Sequence, residues 1–518
     1  MSTVLKNSDR YFIYAVLLFA LIPINYVPQL LDGVHIEYAF TIGDISAVDL
    51  WYREASRYSH LLIVHIVDVL VKYSGLSAEL ILDNLLVIVL LLFCIEVKKY
   101  SIIFFRLDNH WGNIAALFTA LFPMWHVLVD FDIGQYLISI YLLFFGFRLF
   151  VDKGVIKNVI GACFVVLSFN VESNLSMVVG LGIFALAFKQ EEKSYYFPFI
   201  KLIVLIVLAI GYIFVRAFYI PPHGMLEGYL SVAWNSWGGG TGLTKNLLNY
   251  LSFLFAFMWI PLTYYIHLYW RNGKCLAWKD FGVICGNKCF SHKSAYIWLI
   301  GLAGVAIAPY LLLNLSTSLI NLTDYRGRNA FLLAPISAIF FALMFRDMSV
   351  SNTLPKTIKF RNYIAIFVCI NAFLLSYGFY RKVETHHFRN HVVDQLQSHG
   401  SIPKGNVQLI GENIPGALRF MEISHLLYRA YGVAGWWGEV VPYQIEWMDG
   451  SGFYFPKIWK NIKGNKLYLS LFMMDEYAPK CTTYIFLGNT VEKYERIRKL
   501  YVFNSGSYYN IKKIESEC

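Results

Sequence analysis

The stretch ELILDNLLVIVLLLFCIEV, from Glu79 to Val97, is a nearly unbroken apolar segment. An apolar segment of roughly 20 residues is long enough to cross the hydrocarbon core of a bilayer as an α-helix. Similar segments recur along the chain, and short polar stretches separate them. This pattern decides the fold class, and it predicts an α-helical polytopic membrane protein.

The lengths of the apolar segments predict about eleven transmembrane helices. The predicted spans lie near residues 11–31, 79–97, 112–129, 134–149, 156–169, 175–188, 199–218, 247–268, 295–314, 330–346 and 362–379. Together they predict a membrane domain over residues 1–379, followed by a more polar tail over residues 380–518.

The composition agrees with a membrane location. Of the 518 residues, 57% are hydrophobic and only 15% are charged, whereas a soluble domain carries about 25% charged residues. The formal net charge of +10 is spread over short loops, where it acts as an orientation signal. We therefore expect membrane lipids, and no nucleic acid, as partners of the charged surface.

Lysine and arginine mark alternate loops between the predicted spans. By the positive-inside rule the basic loops lie in the cytoplasm, which places the N-terminus inside and the C-terminus outside. The basic set contains Lys6, Arg10, Lys98, Lys99, Arg106, Arg148, Lys153, Lys157, Lys189, Lys193, Lys201, Arg271, Lys274, Lys279, Lys288, Lys293, Arg346, Lys356, Lys359 and Arg361.

The outward face then holds a long first loop (32–78), a second loop (219–246) and the tail. The tail alternates β-like runs such as NVQLIGEN, KLYLSLFM and TTYIFLGN with turn residues, which predicts a small α/β domain. In the first loop, the segment YSHLLIVHIVDVLVKYSG has apolar residues at helical spacing. It is too polar to span comfortably, so we predict an interfacial amphipathic helix.

Acidic residues recur on this outward face, which raises the odds that they converge at one site. Each alone has a simpler interpretation, because Asp132 or Asn170 could serve only as a helix cap. The acids are Asp44, Asp49, Asp130, Asp132, Glu172 and Asp324.

Two arginines lie beside these acids in the outward stretch LTDYRGRNAF, from Leu322 to Phe331. Arg326 could pair with Asp324 and reach the lipid headgroups. Alternatively, Arg326 and Arg328 form an anion site, since a guanidinium binds phosphate oxygens bidentately. The loop 219–246 adds Trp234 and Trp237, which would either anchor the protein at the interface or stack on sugar faces.

Carboxylates and arginines on one membrane face suit glycosyl transfer from a lipid-linked phosphate. An inverting transfer needs a carboxylate base to deprotonate the attacking hydroxyl. It also needs cations that hold the departing lipid phosphate. Both kinds of group are predicted on the outward face.

The acidic first loop and its interfacial helix resemble the membrane-embedded glycosyltransferases of the C-type (GT-C) fold. The pattern formed by Asp44, Trp51, Ser56 and Arg57 is similar to the D…W…GR stretch of the serotype-converting O-antigen glucosyltransferases. Serine stands where that pattern has glycine, and the doubled acid is absent, so Asp44 and Asp49 both remain candidates. The tail segment GNVQLIGENIPGALRFMEISHLLYRAYGVAGWWG also resembles the periplasmic ends of these proteins.

The resemblance implies transfer of a hexose, with glucose the first choice, from undecaprenyl phosphate to O-antigen units of lipopolysaccharide in the periplasm. It implies a bacterial inner-membrane location and two partners, a small lipid-sugar flippase and a glycosyltransferase that charges the lipid. Asp44 is then the preferred base and Asp132 and Glu172 orient it or the acceptor. Arg326, Arg328 and Arg57 hold the donor phosphate. Some relatives use Mg²⁺ or Mn²⁺, which Asp130 and Asp132 would bind, although two carboxylates alone are a weak metal signal.

Two other functions remain open from the sequence. An O-antigen polymerase or ligase would also have many spans and outward arginines, but it concentrates function in large loops between spans. A lipid-linked sugar transporter or flippase predicts polar, broken helices at mid-membrane. An oxidising compartment would also permit a disulfide between Cys481 and Cys518 in the tail, which the sequence leaves open.

Overall fold

The computed structural model describes the chain in segments. The described residues are 36, 39–40, 45–76, 78–129, 131–171, 173–187, 199–222, 292–312, 331–350, 358–411, 420–432, 436–442, 481–489 and 509–517. Over these residues the protein is mostly helical, with one small sheet in the tail.

Among the described helices before the tail, those from Ala78 onward overlap predicted apolar segments, whereas two others lie in the predicted first loop (32–78). The described helices before the tail are α1 Ser46–Glu54, α2 Tyr58–Ser74, α3 Ala78–Phe105, α4 Asn109–Ala120, α5 Phe131–Val151, α6 Val155–Ser168, α7 Ser173–Ala187, α8 Phe199–Phe218, α9 His292–Leu312, α10 Leu333–Val350 and α11 Ile358–His399. A short 3-10 helix, Pro123–Val129, lies between α4 and α5.

Three of the described helices are long and apolar enough to cross a membrane: Leu80–Phe105, Gly134–Val151 and Phe199–Phe218. Other helices contain shorter apolar stretches. These are Val155–Ser168, Ser173–Leu186, Trp298–Ile307, Leu333–Arg346 and Ile364–Phe379. The predicted spans 11–31 and 247–268 lie outside the described residues.

The predicted span 112–129 differs from the observed structure, because α4 ends at Ala120 and the 3-10 helix follows. Pro123 explains the break, since its ring removes a backbone N–H and clashes with a helix interior. The indole N–H of Trp125 donates to the Thr119 carbonyl at 2.5 Å, which satisfies one of the groups freed there.

Helices α5 and α6 pack closely through two glycines. A Cβ on Gly161 would lie 2.5 Å from the backbone N of Phe150 and 2.6 Å from the carbonyl O of Gly146. A Cβ on Gly146 would lie 2.8 Å from the carbonyl O of Gly161. Small residues let helix backbones approach in this way when lipid gives no hydrophobic drive for association.

Charged residues tie the helix ends together at the end of the bundle that the sequence assigns to the cytoplasm. The buried carboxylate of Glu96 accepts from Arg148 at 2.5 Å and from Lys99 at 2.7 Å. The Lys201 ammonium donates to the carbonyls of Phe150 at 2.7 Å and Asp152 at 2.8 Å, near the end of α5. The last carbonyls of a helix have no intrahelical partners, so a cation there is favourable.

Helix α11 joins the bundle to the tail. Phe367 and Leu375 pack in the core of the bundle, whereas Val392 and Leu396 pack in the core of the tail. Where it passes the 3-10 helix, a Cβ on Gly378 would lie 2.5 Å from the ring of His126. The helix therefore continues through the predicted boundary at residues 379 and 380, and the tail begins within it.

The tail contains strands β1 Gly405–Gly411, β2 Trp436–Pro442, β3 Cys481–Asn489 and β4 Tyr509–Glu517, with helix α12 Phe420–Tyr431 between the first two. The strand order is β2-β1-β3-β4, with β1 parallel to β2 and β3, and β3 antiparallel to β4. Val407 and Leu409 of β1 belong to a core shared with α11 and α12. Asn406, Gln408 and Ile410 on the opposite face of the strand are buried as well, so both faces of β1 are covered. The strands predicted in NVQLIGEN and TTYIFLGN are confirmed, and the run KLYLSLFM (466–473) lies outside the described residues.

Candidate functional site

A tyrosine on α1 and an aspartate on α5 form the centre of a buried polar group. Tyr52 lies on the buried face of α1, beside Val48 and Ala55 at helical spacing. Its hydroxyl donates to Asp132 Oδ1 at 2.8 Å and accepts from Gln135 Nε2 at 2.8 Å. Asp132 belongs to the first turn of α5, where the helix dipole favours a carboxylate.

Arg57 places a positive charge beside this carboxylate. It is the N-cap residue directly before α2, and its Nη1 lies 3.8 Å from Asp132 Oδ1. The Arg57 side chain is 17% exposed and that of Asp132 is 4% exposed. The ion pair is therefore largely shielded from water, and its charges act on their neighbours more strongly than they would at a surface.

His60 completes the group, which we call the Asp132 cluster: Tyr52, Arg57, His60, Asp132 and Gln135. The buried His60 ring meets Tyr52 edge-on, with ring centroids 5.9 Å apart. Within the described part of the chain, neither ring nitrogen has a hydrogen-bond partner. Burial is the main cause that lowers the pKa of His60 from 6.5 to about 3; the positive charges of Arg57 and Arg216 act in the same direction and Asp132 opposes them.

Two further buried polar atoms beside these residues have no partner among the described residues. They are the hydroxyl oxygen of Ser56 and the amide oxygen of Gln135. Burying such atoms without a hydrogen bond costs about 1–3 kcal/mol each. Native proteins accept that cost where water or a ligand supplies the missing partner. Within the described part of the chain, the Asp132 cluster and the adjacent Ser56 thus have donors and acceptors that are available to a polar ligand.

Ser56 also has an unusual backbone conformation, with φ of 56° between α1 and α2. This left-handed region favours glycine, because a side chain there crowds the following carbonyl. The tight turn lets Tyr52 and His60 face each other from successive helices.

The Ser56→Gly variant is therefore expected to be more stable than the Ser56→Ala variant by roughly 1 kcal/mol. Both substitutions remove the hydroxyl, but only glycine relieves the left-handed strain. Thermal denaturation of the two detergent-purified variants measures the difference. An alanine variant as stable as the glycine variant would contradict the strain.

Asn170 fastens the start of α2 to the turn between α6 and α7. With its amide oriented to satisfy both ends, its oxygen accepts from the backbone N of Ser59 and of His60 at 3.1 Å each. Its nitrogen donates to the Tyr212 hydroxyl at 3.2 Å. Asn170 therefore caps a helix, as the sequence suggested, but the helix is α2 rather than its own neighbour in the chain.

Asp49 has other partners. Its carboxylate accepts from Arg53 Nε at 2.5 Å and contacts His65 Nε2 at 2.9 Å. The hydrogen bond from Arg53 is the main cause that lowers the pKa of Asp49, with His65 contributing against partial burial. A carboxylate with a lowered pKa is a weaker base, so this geometry makes Asp49 the less suitable proton acceptor.

The structure brings together Asp132 and Arg57 of the predicted site, and it gives Asp49 separate partners. The remaining predicted site residues lie outside the described residues: Asp44, Asp130, Glu172, Trp234, Trp237, Asp324, Arg326 and Arg328. Sequence reasoning did not select Tyr52, His60, Gln135 or Arg216 for the site. The helical spacing of Val48, Tyr52 and Ala55 could have indicated that the Tyr52 hydroxyl is buried and needs a partner.

No group of three or more His, Cys, Asp or Glu side chains that could hold a metal ion occurs among the described residues. The Asp130 half of the predicted cation pair falls outside them. In comparisons with known proteins, no family model matches the chain, and no curated protein matches its sequence.

Acid should destabilise the protein through His60. Its pKa is about 3 in the folded state and 6.5 when unperturbed. The unfolded state therefore binds more protons between these values, and stability falls as pH drops below about 6.5. At pH 4 this single group would account for a loss of about 3 kcal/mol.

A His60→Phe variant keeps a buried ring but cannot take up this proton. We expect the free energy of unfolding of wild type, minus that of the variant, to fall by about 3 kcal/mol as pH falls from 7 to 4. Carboxylates such as Asp49 and Asp152, whose pKa values are lowered, titrate in both proteins and cancel in the difference. A difference that does not change with pH would contradict a buried neutral His60.

Proposed function

We propose that the chain is a membrane glycosyltransferase that moves a hexose, with glucose the first choice, from undecaprenyl phosphate to O-antigen repeat units on the periplasmic side. The observation that carries this proposal is the shielded contact of the Asp132 carboxylate with Tyr52 and Arg57 at one end of an apolar helical bundle. Charges buried at such a position are costly, which is typical of a functional site.

The proposed role of each residue of the site is based on its contacts. Asp132 fixes the Tyr52 hydroxyl and the Arg57 guanidinium in place. Ser56, His60 and Gln135 have polar atoms without a partner among the described residues, and these atoms suit the hydroxyls of a sugar because they offer both donors and acceptors. Arg57 supplies positive charge for the donor phosphate, in the role also proposed for Arg326 and Arg328.

The base that activates the acceptor hydroxyl is proposed to be Asp44. Asp49 is less suitable, because Arg53 and His65 occupy its carboxylate. Asp44 precedes the start of α1 by two positions in the sequence, and Tyr52 of that helix contacts Asp132. Glu172 is proposed to orient the acceptor, and it follows Asn170, which caps α2, by two positions in the sequence.

The test is mass and linkage analysis of O-antigen repeat units from host cells with and without the gene, together with the chain-length ladder. One additional hexose per repeat with an unchanged ladder would support the transferase. Loss of the ladder with unchanged repeats would indicate a polymerase instead. No change in either would overturn the proposal and favour a transporter or another envelope glycan.

A further inference from the structure

The cysteines of the tail bear on which side of the membrane the site faces. Cys481, the first residue of β3, is disulfide-bonded. Cys94, Cys163 and Cys369 are free. The remaining cysteines of the sequence, Cys275, Cys285, Cys289 and Cys518, lie outside the described residues.

Strand register selects the partner from these four. In the antiparallel pair of β3 and β4, Thr482 lies opposite Glu517. Continuing the register by one position puts residue 481 opposite residue 518. Directly opposed residues of antiparallel strands have Cα atoms about 4.5–5.5 Å apart. That separation falls within the range of roughly 4.4–6.8 Å that a disulfide spans.

We propose that Cys481 and Cys518 form a disulfide that fastens the edge strand β4 to the sheet, and that the tail and the Asp132 cluster both face an oxidising compartment. Disulfides persist in the periplasm or outside the cell and are rare in a reducing cytoplasm. The bond is thus a structural indication of sidedness, independent of the distribution of Lys and Arg.

Helix α11 extends this assignment from the tail to the site. It runs without a break from the bundle core to the core of the sheet. It passes the 3-10 helix at Gly378, against His126, some 21 positions before it ends at His399. The 3-10 helix ends at Val129, just before Asp132 in the chain. The sheet therefore lies beyond the end of the bundle that holds the Asp132 cluster.

This placement has a consequence for the substrate, which rests on the proposed function. A site on the oxidising side receives sugar only from a donor that has crossed the membrane. The reactions that supply it are then attachment of hexose to a lipid phosphate on the cytoplasmic side and passage of that lipid across the bilayer. A polar nucleotide-sugar made in the cytoplasm would not reach the Asp132 cluster.

The bond is tested by thiol counting on the full-length protein. Cells are quenched in acid, free thiols are blocked with N-ethylmaleimide under denaturing conditions, and the protein is then reduced and labelled with a polyethylene-glycol maleimide. Wild type should gain two labels that depend on reduction. Cys481→Ser and Cys518→Ser should each lose both labels, whereas the control Cys285→Ser should keep both.

Two results would overturn the pairing: no reduction-dependent label in wild type, or two such labels remaining in Cys518→Ser. Peptide mass spectrometry of unreduced wild type gives the same answer without a variant, so misfolding of a mutant cannot obscure it. The expected species is a cross-linked peptide pair that contains Cys481 and Cys518.

Sidedness is tested separately with a membrane-impermeant phosphine reductant on cells whose outer membrane has been permeabilised. The bond should open before detergent is added. Opening only after detergent treatment would refute the outward placement even if the bond exists. Neither measurement uses glycan transfer, so failure of the proposed function would appear only in the O-antigen analysis and is distinguishable from failure of this inference.

Discussion

Asp132→Asn is expected to lower hexose transfer by at least about 100-fold, the usual scale for loss of a positioned ionisable group in an active site. The asparagine keeps the shape of the side chain but removes the negative charge that faces Arg57 at 3.8 Å and accepts the Tyr52 hydroxyl at 2.8 Å. Transfer is measured in membranes supplied with a polyprenyl-phosphate hexose and acceptor repeat units, per amount of folded protein.

Glu96→Gln is the matched control. Glu96 and Asp132 are both almost fully buried, and each carboxylate faces an arginine that lies outside its own helix. Glu96, however, lies at the opposite end of the bundle, beside Arg148 and Lys99. Both substitutions break a shielded ion pair and should destabilise the protein, but only Asp132→Asn should abolish transfer by the folded fraction.

A second matched pair of variants tests the Tyr52 hydroxyl separately from the Asp132 charge. Tyr52 and Tyr100 are buried tyrosines that each donate one hydrogen bond at 2.8 Å, to Asp132 and to the Phe144 carbonyl respectively. Tyr52→Phe should lower transfer and Tyr100→Phe should not.

Equal activity of Asp132→Asn and Glu96→Gln would remove the Asp132 cluster from the proposed site.

Gly161→Ala should destabilise the bundle by about 1–3 kcal/mol or more, the range for overpacking a close contact. The added methyl group would meet backbone atoms of α5, the nearest at 2.5 Å. Backbone atoms cannot turn aside as a flexible side chain can, so α5 and α6 must separate. The effect is measured by thermal denaturation in detergent, with the loss of monodisperse protein as the readout.

Gly211→Ala makes the same chemical change in α8, where a Cβ would meet nothing within 4 Å. Alanine is also the better helix former by about 1 kcal/mol in water. We therefore expect Gly211→Ala to match or exceed wild type in stability. If both variants denature like wild type, the close packing of α5 on α6 does not constrain the fold.

Apolar segment lengths predicted most of the described helices because burial in lipid imposes a simple requirement on each segment alone. The segment 199–218 coincides with helix α8. The amphipathic pattern of the first loop likewise predicted α2, whose C-cap residue Gly75 has the left-handed conformation typical of a helix terminus. Where the prediction differed, at residues 112–129, one proline redirected the chain.

The site was harder to predict because it depends on which distant side chains meet. Charge and position singled out Asp132 and Arg57, but nothing local indicates that Tyr52 lies between Asp132 and His60. The contact joins residues 80 positions apart and requires α1 and α2 to fold back on the bundle. Asn170 shows the same limitation, since its capping partners are more than 100 positions away in the sequence.

Helix α11 also fixes how far the sheet is rotated about the helix axis relative to the bundle. Its 42 residues correspond to about 63 Å of continuous helix, roughly twice the thickness of a bilayer core. Inserting one residue after Gly378 would turn the sheet by about 100° around the helix axis, whereas inserting seven would return it to within about 20° of its original facing. The number of residues in this one helix therefore determines which surface the sheet presents toward the bundle.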